Sequence, residues 1–345
     1  MPQRALGPFS VSAIGLGCMN LDHGYGPAVS AGQGAQLVQA ALDAGVDFFD
    51  TAALYGFGAN ETRLAPLLKP HRHRITLASK CGMQGVDRGD GTRVREINGR
   101  PDVLRQTCED SLRRLQTDVI DLYYLHRWDP RVPIEDSVGA LGELVRRGLI
   151  RSVGLSEVSA PTLRRAHAEF PITALQSEYS LWTRNPEIAV LDTCRELGVA
   201  FVPFSPLGRG FLGGALPSVE SLGTLGPTDM RRTLPRFDPA GNYPRNLRLL
   251  DALRALGAEL GATPAQLALA WLLHKDPGFV PIPGTTRVDH LQDCLGALRL
   301  QLSPEAMDRL DALFPPEAIQ GNRYAPQGAS EVDTERFGFE GPVAR

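Results

Sequence analysis

Three apolar runs in the first part of the chain each end in a titratable side chain. Val46-Asp47-Phe48-Phe49 ends in Asp50, Arg74 to Ser79 ends in Lys80, and Val119 to Leu125 ends in His126. Tyr55 follows Asp50 by five residues, in a turn-rich segment. Strands of a parallel sheet point the same way, so their C-terminal ends share one face. Barrels and open α/β sheets gather their sites on that face. Asp50, Tyr55, Lys80 and His126 can therefore form one constellation.

Beyond these runs the chain alternates strand and helix patterns about eight times, with no linker-like tract between them. A first strand is expected at residues 11–17, followed by a glycine-rich loop from Met19 to Gly34 that holds Tyr25. Helices are expected at Gln36 to Ala44, Asn60 to Leu68, Pro101 to Leu115, Ile134 to Arg147, Ala160 to Glu169 and from Asn185 to Gly198. Further strands fall at Ile150 to Leu155, Ile172 to Leu175, Val199 to Phe204 and Phe279 to Ile282.

Cys81 to Arg100 reads as a long polar loop that walls a pocket, and Pro206 to Arg245 as a loop over a barrel mouth. Helices at Asn246 to Leu260, Pro264 to His274, Val288 to Leu298 and from Ser303 to Leu313 complete the pattern. Thr263 and Gln266 fit a capping box for the second of these. With 345 residues, the economical reading is one (β/α)8 TIM barrel over residues 1–345 with an irregular tail at 315–345, packed on the mouth or hanging free.

A net charge of -3 with scattered Lys and Arg disfavours nucleic acid or an anionic membrane as partner, so small molecules are expected. Met1 to Pro8 lacks a secretory pattern, and Leu267 to Leu273 is far too short to span a bilayer, which needs roughly 18 residues. A soluble, cytoplasmic protein is expected. The five cysteines show no C-x-x-C pair and read as reduced, packed thiols rather than disulfides or a zinc site.

These residues and their flanks resemble the aldo-keto reductase family, whose catalytic tetrad is Asp, Tyr, Lys and His. The resemblance is closest to the branch with motifs like LHRWDP, GLSE, QSEYSLW, FSPLGRGFL and PIPGTTR, all present here. It implies an NADPH-dependent oxidoreductase that reduces aldehydes or ketones, with NADPH/NADP as cofactor, a small carbonyl compound as substrate and no metal. The alternative is a cofactor-binding auxiliary subunit with little turnover; the intact tetrad argues against it.

The resemblance also implies a cofactor site. Ser156, Glu157 and Gln176 match positions that contact the nicotinamide carboxamide, and Phe204 matches an aromatic that stacks on the nicotinamide ring. Gly208 to Gly213 spells G-x-G-x-x-G, yet no helix pattern follows, so it is no Rossmann fingerprint. By resemblance, the loop Ser205, Pro206, Leu207, Gly208, Arg209, Gly210 to Leu212 lies over the pyrophosphate, with Arg209 a candidate phosphate contact. Gly284, Thr285, Thr286 and Arg287 open a helix where the 2'-phosphate would sit. Asp293 and Cys294 stand where relatives read adenine with Glu-Asn.

Hydride reduction of a carbonyl leaves negative charge on oxygen, and a general acid must supply a proton there. Tyr55 suits this role. Lys80 is expected to lower the phenol's pKa, Asp50 to hold the lysine, and His126 to donate a hydrogen bond to the carbonyl oxygen. Tyr25, Trp128 and Tyr324 are candidates for an aromatic substrate pocket or for plain packing.

Overall fold

The computed structural model of the chain describes residues 1–90 and 92–341. Seven strands run parallel in sequential order: Leu16–Gly17, Phe48–Asp50, Thr76–Cys81, Ile120–Leu125, Ile150–Ser156, Ile172–Glu178 and Ala200–Phe204. The stretch 279–284 closes the ring between the first and last of them. Phe279 and Ile282 bridge to Phe201 and Phe204 on one side, and Gly284 bridges to Gly17 on the other.

Two prolines explain why that eighth position is held by bridges. Val280 and Ile282 donate to the carbonyls of Phe201 and Pro203, at 3.0 and 3.1 Å. Toward the first strand, Pro281 and Pro283 have no N–H to give and only accept, from Gly15 and Gly17. The result is a (β/α)8 barrel whose helices wrap the outside.

The first strand expected at residues 11–17 is divided. Gln3–Leu6 and Phe9–Ser12 form an antiparallel hairpin, and only Leu16–Gly17 joins the barrel. The hairpin plugs the bottom, where Leu6 and Val11 pack on Phe48, Ala78, Leu122 and Val202 of the interior. With the bottom sealed by apolar side chains, the strands' C-terminal rim is left for chemistry.

Several helices begin and end as their sequence signals require. Thr263 and Gln266 form the reciprocal capping box of Pro264–Lys275, and Ser303 caps Pro304–Leu313. Asn242–Leu260 starts four residues earlier than the expected Asn246. A long-range tie accounts for it: the Asn246 amide donates to Gln320 O and accepts from Gln320 N, each at 2.9 Å, so the residue is buried inside the helix.

The expected loops at the rim carry structure of their own. Within Cys81 to Arg100, Met83–Asp87 and Arg93–Ile97 pair as an antiparallel hairpin, with Gly85 backed tightly by the Phe57 ring. One cross-strand valine pair, Val86 opposite Val94, adds strand preference to a stretch that is otherwise mostly polar. The segment after Ala200–Phe204 is built from four short 3-10 turns. The tail packs on the mouth with Tyr324 to Val332 and continues along the barrel to Glu340, whose carboxylate accepts from Asn185. Its Arg323 pairs with the buried Glu157, while Asp333 accepts from the N–H of Ser159, the N-cap of Ala160–Glu169, and Glu335 from that of Ala160, at the helix start. Residues 342–345 of the expected tail lie outside the described residues.

Candidate active site

Asp50 is the last residue of its strand and pairs with Ala78; Lys80 lies two residues further along that neighbouring strand, in register with Tyr124. The Lys80 side chain is fully buried. Its ammonium has three donors and meets three acceptors: the Asp50 carboxylate, Thr51 O at 2.7 Å and the Tyr55 hydroxyl at 3.2 Å. Asp50 is fixed from the other side by the Gln176 amide, which donates at 2.9 Å from across the rim.

Tyr55 sits at the head of a tight turn in which Gly56 and the non-glycine Phe57 both take positive φ, 56° and 52°. That costly backbone conformation aims the ring inward, against the His126 ring edge-on at 5.7 Å. His126 follows its strand directly, and its backbone N–H donates to Cys81 O at 2.8 Å. The Nδ1 of His126 is buried with no protein partner among the described residues, a group left for something else to meet.

Burial governs the titration here. It pushes the Tyr55 phenol up from its ordinary value; the Lys80 charge pulls against this without overcoming it, and Asp50 adds to the rise. Lys80 thus lowers the phenol's pKa as expected, but burial outweighs it and the net shift is upward. Burial also works against the Lys80 charge, but Asp50 and Tyr55 more than compensate, and its pKa rises. His126 is held well below its usual range by burial and by the charge of Arg127, so its imidazole is neutral at pH 7.

These groups open into a cleft of about 910 Å³, near the upper end of ordinary ligand pockets, roughly 300 to 1,000 Å³. The cleft passes Ser156, Gln176 and Phe204, then the Ser205-Pro206-Leu207 turn with Arg209 and Gly210. It ends at Gly284 to Thr286 and Asp293, beside the start of Val288–Gly296. The free N–H groups and positive dipole end of that helix suit a phosphate. A cleft with mixed polar and apolar walls that joins the reacting end to a helix start fits an extended dinucleotide.

Several expected cofactor residues lie away from the cleft or have their polar groups bonded within the protein. Glu157 is buried with φ of 57°, and its carboxylate is spent on Arg323 and on the Glu178 N–H, away from the cleft. Arg209 borders the cleft, but its guanidinium pairs with Glu178 at 2.7 Å and lies over the Tyr324 ring, in place of a free phosphate contact. Gly208 and Leu212 turn inward, the former against Trp182. Arg287 stands at the N-cap position of Val288–Gly296 and is paired with Asp289, both side chains 59% exposed. Asp293 accepts from Thr263 and Gln266.

Of the three candidate aromatics, Tyr25 and Tyr324 line the cleft, whereas Trp128 turns its indole N–H to Val132 O at 2.9 Å. Residues to which the sequence reading assigns no role also face the site. His23 stacks on Tyr55 at 6.0 Å, Arg127 donates to Ser156 Oγ at 3.1 Å and to His126 O at 2.6 Å, and Arg95 reaches in from the hairpin. All five cysteines are free and buried. Among the described residues no cluster of His, Cys, Asp and Glu has metal-holding geometry, and no helix is long and apolar enough to cross a membrane.

A buried Lys between a carboxylate and a phenol, at the rim of a (β/α)8 barrel and open to a dinucleotide-sized cleft, defines a carbonyl oxidoreductase class, and the wider comparisons agree. The chain belongs to the aldo/keto reductase family, whose model matches residues 13–314. It is 42% identical over 317 residues to a probable aldo-keto reductase of Glycine max, covering 92% of this chain and 89% of that one. A glycerol dehydrogenase of Gluconobacter oxydans superposes with a TM-score of 0.82 at 25% identity, covering 94% of this chain and 99% of that one. An aldo-keto reductase of Bacillus halodurans in its holo form gives 0.74 at 27%, covering 92% and 97%. A thermostable aldo-keto reductase in complex with the inhibitor epalrestat gives 0.71 at 30%, covering 91% and 100%. Members of this family are oxidoreductases acting on carbonyl compounds and generally use nicotinamide cofactors.

Proposed function

We propose that the chain is an NADPH-dependent reductase of aldehydes or ketones, working as one cytoplasmic catalytic unit over residues 1–345 with Tyr55 as its general acid. The observation that carries this reading is Lys80, fully buried yet bonded to both Asp50 and Tyr55 beside an open cleft. A buried ion pair is weak as a stabilising device, since desolvation offsets its attraction. Its placement against a phenol is better explained by proton transfer.

When bound, the cofactor supplies a hydride to the carbonyl carbon. Tyr55, neutral because burial keeps its pKa high, gives its proton to the carbonyl oxygen as charge develops there. The Lys80 ammonium stabilises the phenolate left behind, and Asp50, braced by Gln176, keeps that ammonium charged and in place. Neutral His126 offers a ring N–H to the same oxygen. One hydride and one proton have then been added, and the product is the alcohol.

Ser156 and the free face of Gln176 suit a carboxamide, Phe204 a ring face, and the 205–207 turn with Gly210 the pyrophosphate. Preference for the 2'-phosphate rests on Gly284, Thr285 and Thr286, with Arg287 available once its exposed pairing with Asp289 opens. Consumption of NADPH by purified protein given a simple aldehyde tests the proposal. Steady oxidation dependent on aldehyde supports it; tight NADPH binding with no turnover would point to an auxiliary subunit instead.

A further inference from the structure

The tail segment from Tyr324 to Val332 separates two spaces. Its front lines the active cleft with Tyr324, Gln327, Gly328 and Glu331. Behind it lies a second cavity of about 140 Å³, bordered by Ala329, Ser330, Arg323, Glu335 and Arg336. Arg323 Nη1, Glu335 Oε2 and Arg336 Nε are buried there without a protein partner among the described residues. Polar atoms of this kind are met by water in solution, and a hydrated space can yield to a moving wall where close-packed side chains cannot.

Strong contacts hold both ends of the segment. Arg323 is only 7% exposed in its pair with the fully buried Glu157. Past the other end, Asp333 accepts from Ser159 Oγ at 2.8 Å and Thr162 Oγ1 at 2.7 Å, and Glu335 accepts from Ala160 N at 2.7 Å. Between these anchors, Glu331 reaches to the hairpin Met83–Asp87/Arg93–Ile97 and pairs with Arg95 at 2.6 Å. That pair is solvent-facing, with Arg95 45% and Glu331 20% exposed, so it is a weak contact that opens readily.

We propose that Arg95 and Glu331 form a latch that holds the tail forward over the cleft, and that the tail recedes into the rear cavity to admit bulky carbonyl substrates. The apolar surface beside Tyr55 in the cleft, made by Leu54, Met83 and Met19, suits an apolar or aromatic bulk. This inference rests on the reductase reading above and deepens it. Latch strength and cavity volume together set the preference between small and large carbonyls.

The test measures amide hydrogen exchange over residues 324–332 and kcat/KM for propanal and a naphthyl aldehyde, in wild type, Glu331→Gln and Ala329→Leu. Ala329 faces the rear cavity, outside the cleft. Glu331→Gln should speed exchange by about two- to fivefold, the range an exposed ion pair carries, and raise the naphthyl-to-propanal ratio. Ala329→Leu fills the cavity; it should slow exchange and lower naphthyl turnover by at least about fivefold while propanal is unaffected. Exchange and ratio unchanged in both variants would overturn the proposal, as would a ratio that falls in Glu331→Gln. A wild type that reduces neither aldehyde, while Glu331→Gln still speeds exchange, removes the reductase reading and keeps the latch.

Discussion

The ammonium of Lys80 lies 3.2 Å from the hydroxyl of Tyr55, both side chains buried at the inner end of the cleft. Burial favours the neutral phenol, and the cation limits how far. The phenol is therefore a stable proton store in the resting site and loses its proton only when a developing oxyanion draws it. Lys80 contributes mainly after transfer, by pairing with the phenolate.

Removing the cation should hurt both stability and activity. Lys80→Met leaves the Asp50 carboxylate buried with Gln176 as its remaining side-chain donor, a loss expected to cost roughly 3 to 5 kcal/mol. The double variant Lys80→Met/Asp50→Asn should regain most of that stability and none of the activity. Urea unfolding and aldehyde turnover, measured on all three, separate the two roles.

His126 makes the fold sensitive to acid. Its folded pKa is depressed, so below the unfolded value of about 6.5 the unfolded chain binds a proton that the folded chain refuses. Stability is therefore full above that pH and falls as pH drops through the window below it. Between pH 7.5 and 5.5 the wild type should lose more stability than His126→Gln, by on the order of 1 kcal/mol. Equal losses by denaturant titration would mean the imidazole is not held neutral.

The Arg287–Asp289 pair predicts opposite effects from its two members. Arg287→Ala should weaken NADPH by about tenfold and leave NADH nearly unchanged, since only the 2'-phosphate needs the guanidinium. Asp289→Asn should tighten NADPH by freeing Arg287. Fluorescence titration of both cofactors reads this directly, and equal changes for NADPH and NADH would remove Arg287 from phosphate recognition.

The barrel was legible because its period is regular: apolar strand runs, helix-length spacers and explicit caps such as Thr263-Gln266 repeat along the chain. Asp50, Lys80 and His126 could be placed together because strand ends in a parallel sheet share a rim. What escaped were features set by distant partners. Glu157 looked like a ligand residue until Arg323 came back to it across 166 positions. The rim hairpin was hidden in a glycine-rich polar stretch, and the Tyr55 shift depends on burial, which no residue pattern states. His23 and Arg95 face the site only because loops far apart in sequence fold over one mouth.

Tyr55→Phe tests the central claim most directly. The ring and its packing against His126 and His23 remain, and only the proton donor is lost. Single-turnover reduction of an aldehyde by the preformed NADPH complex should slow by about 100- to 10,000-fold, with NADPH affinity within twofold of wild type. A variant that retains the wild-type single-turnover rate, with the chemical step limiting, would contradict the assignment of Tyr55 as the acid.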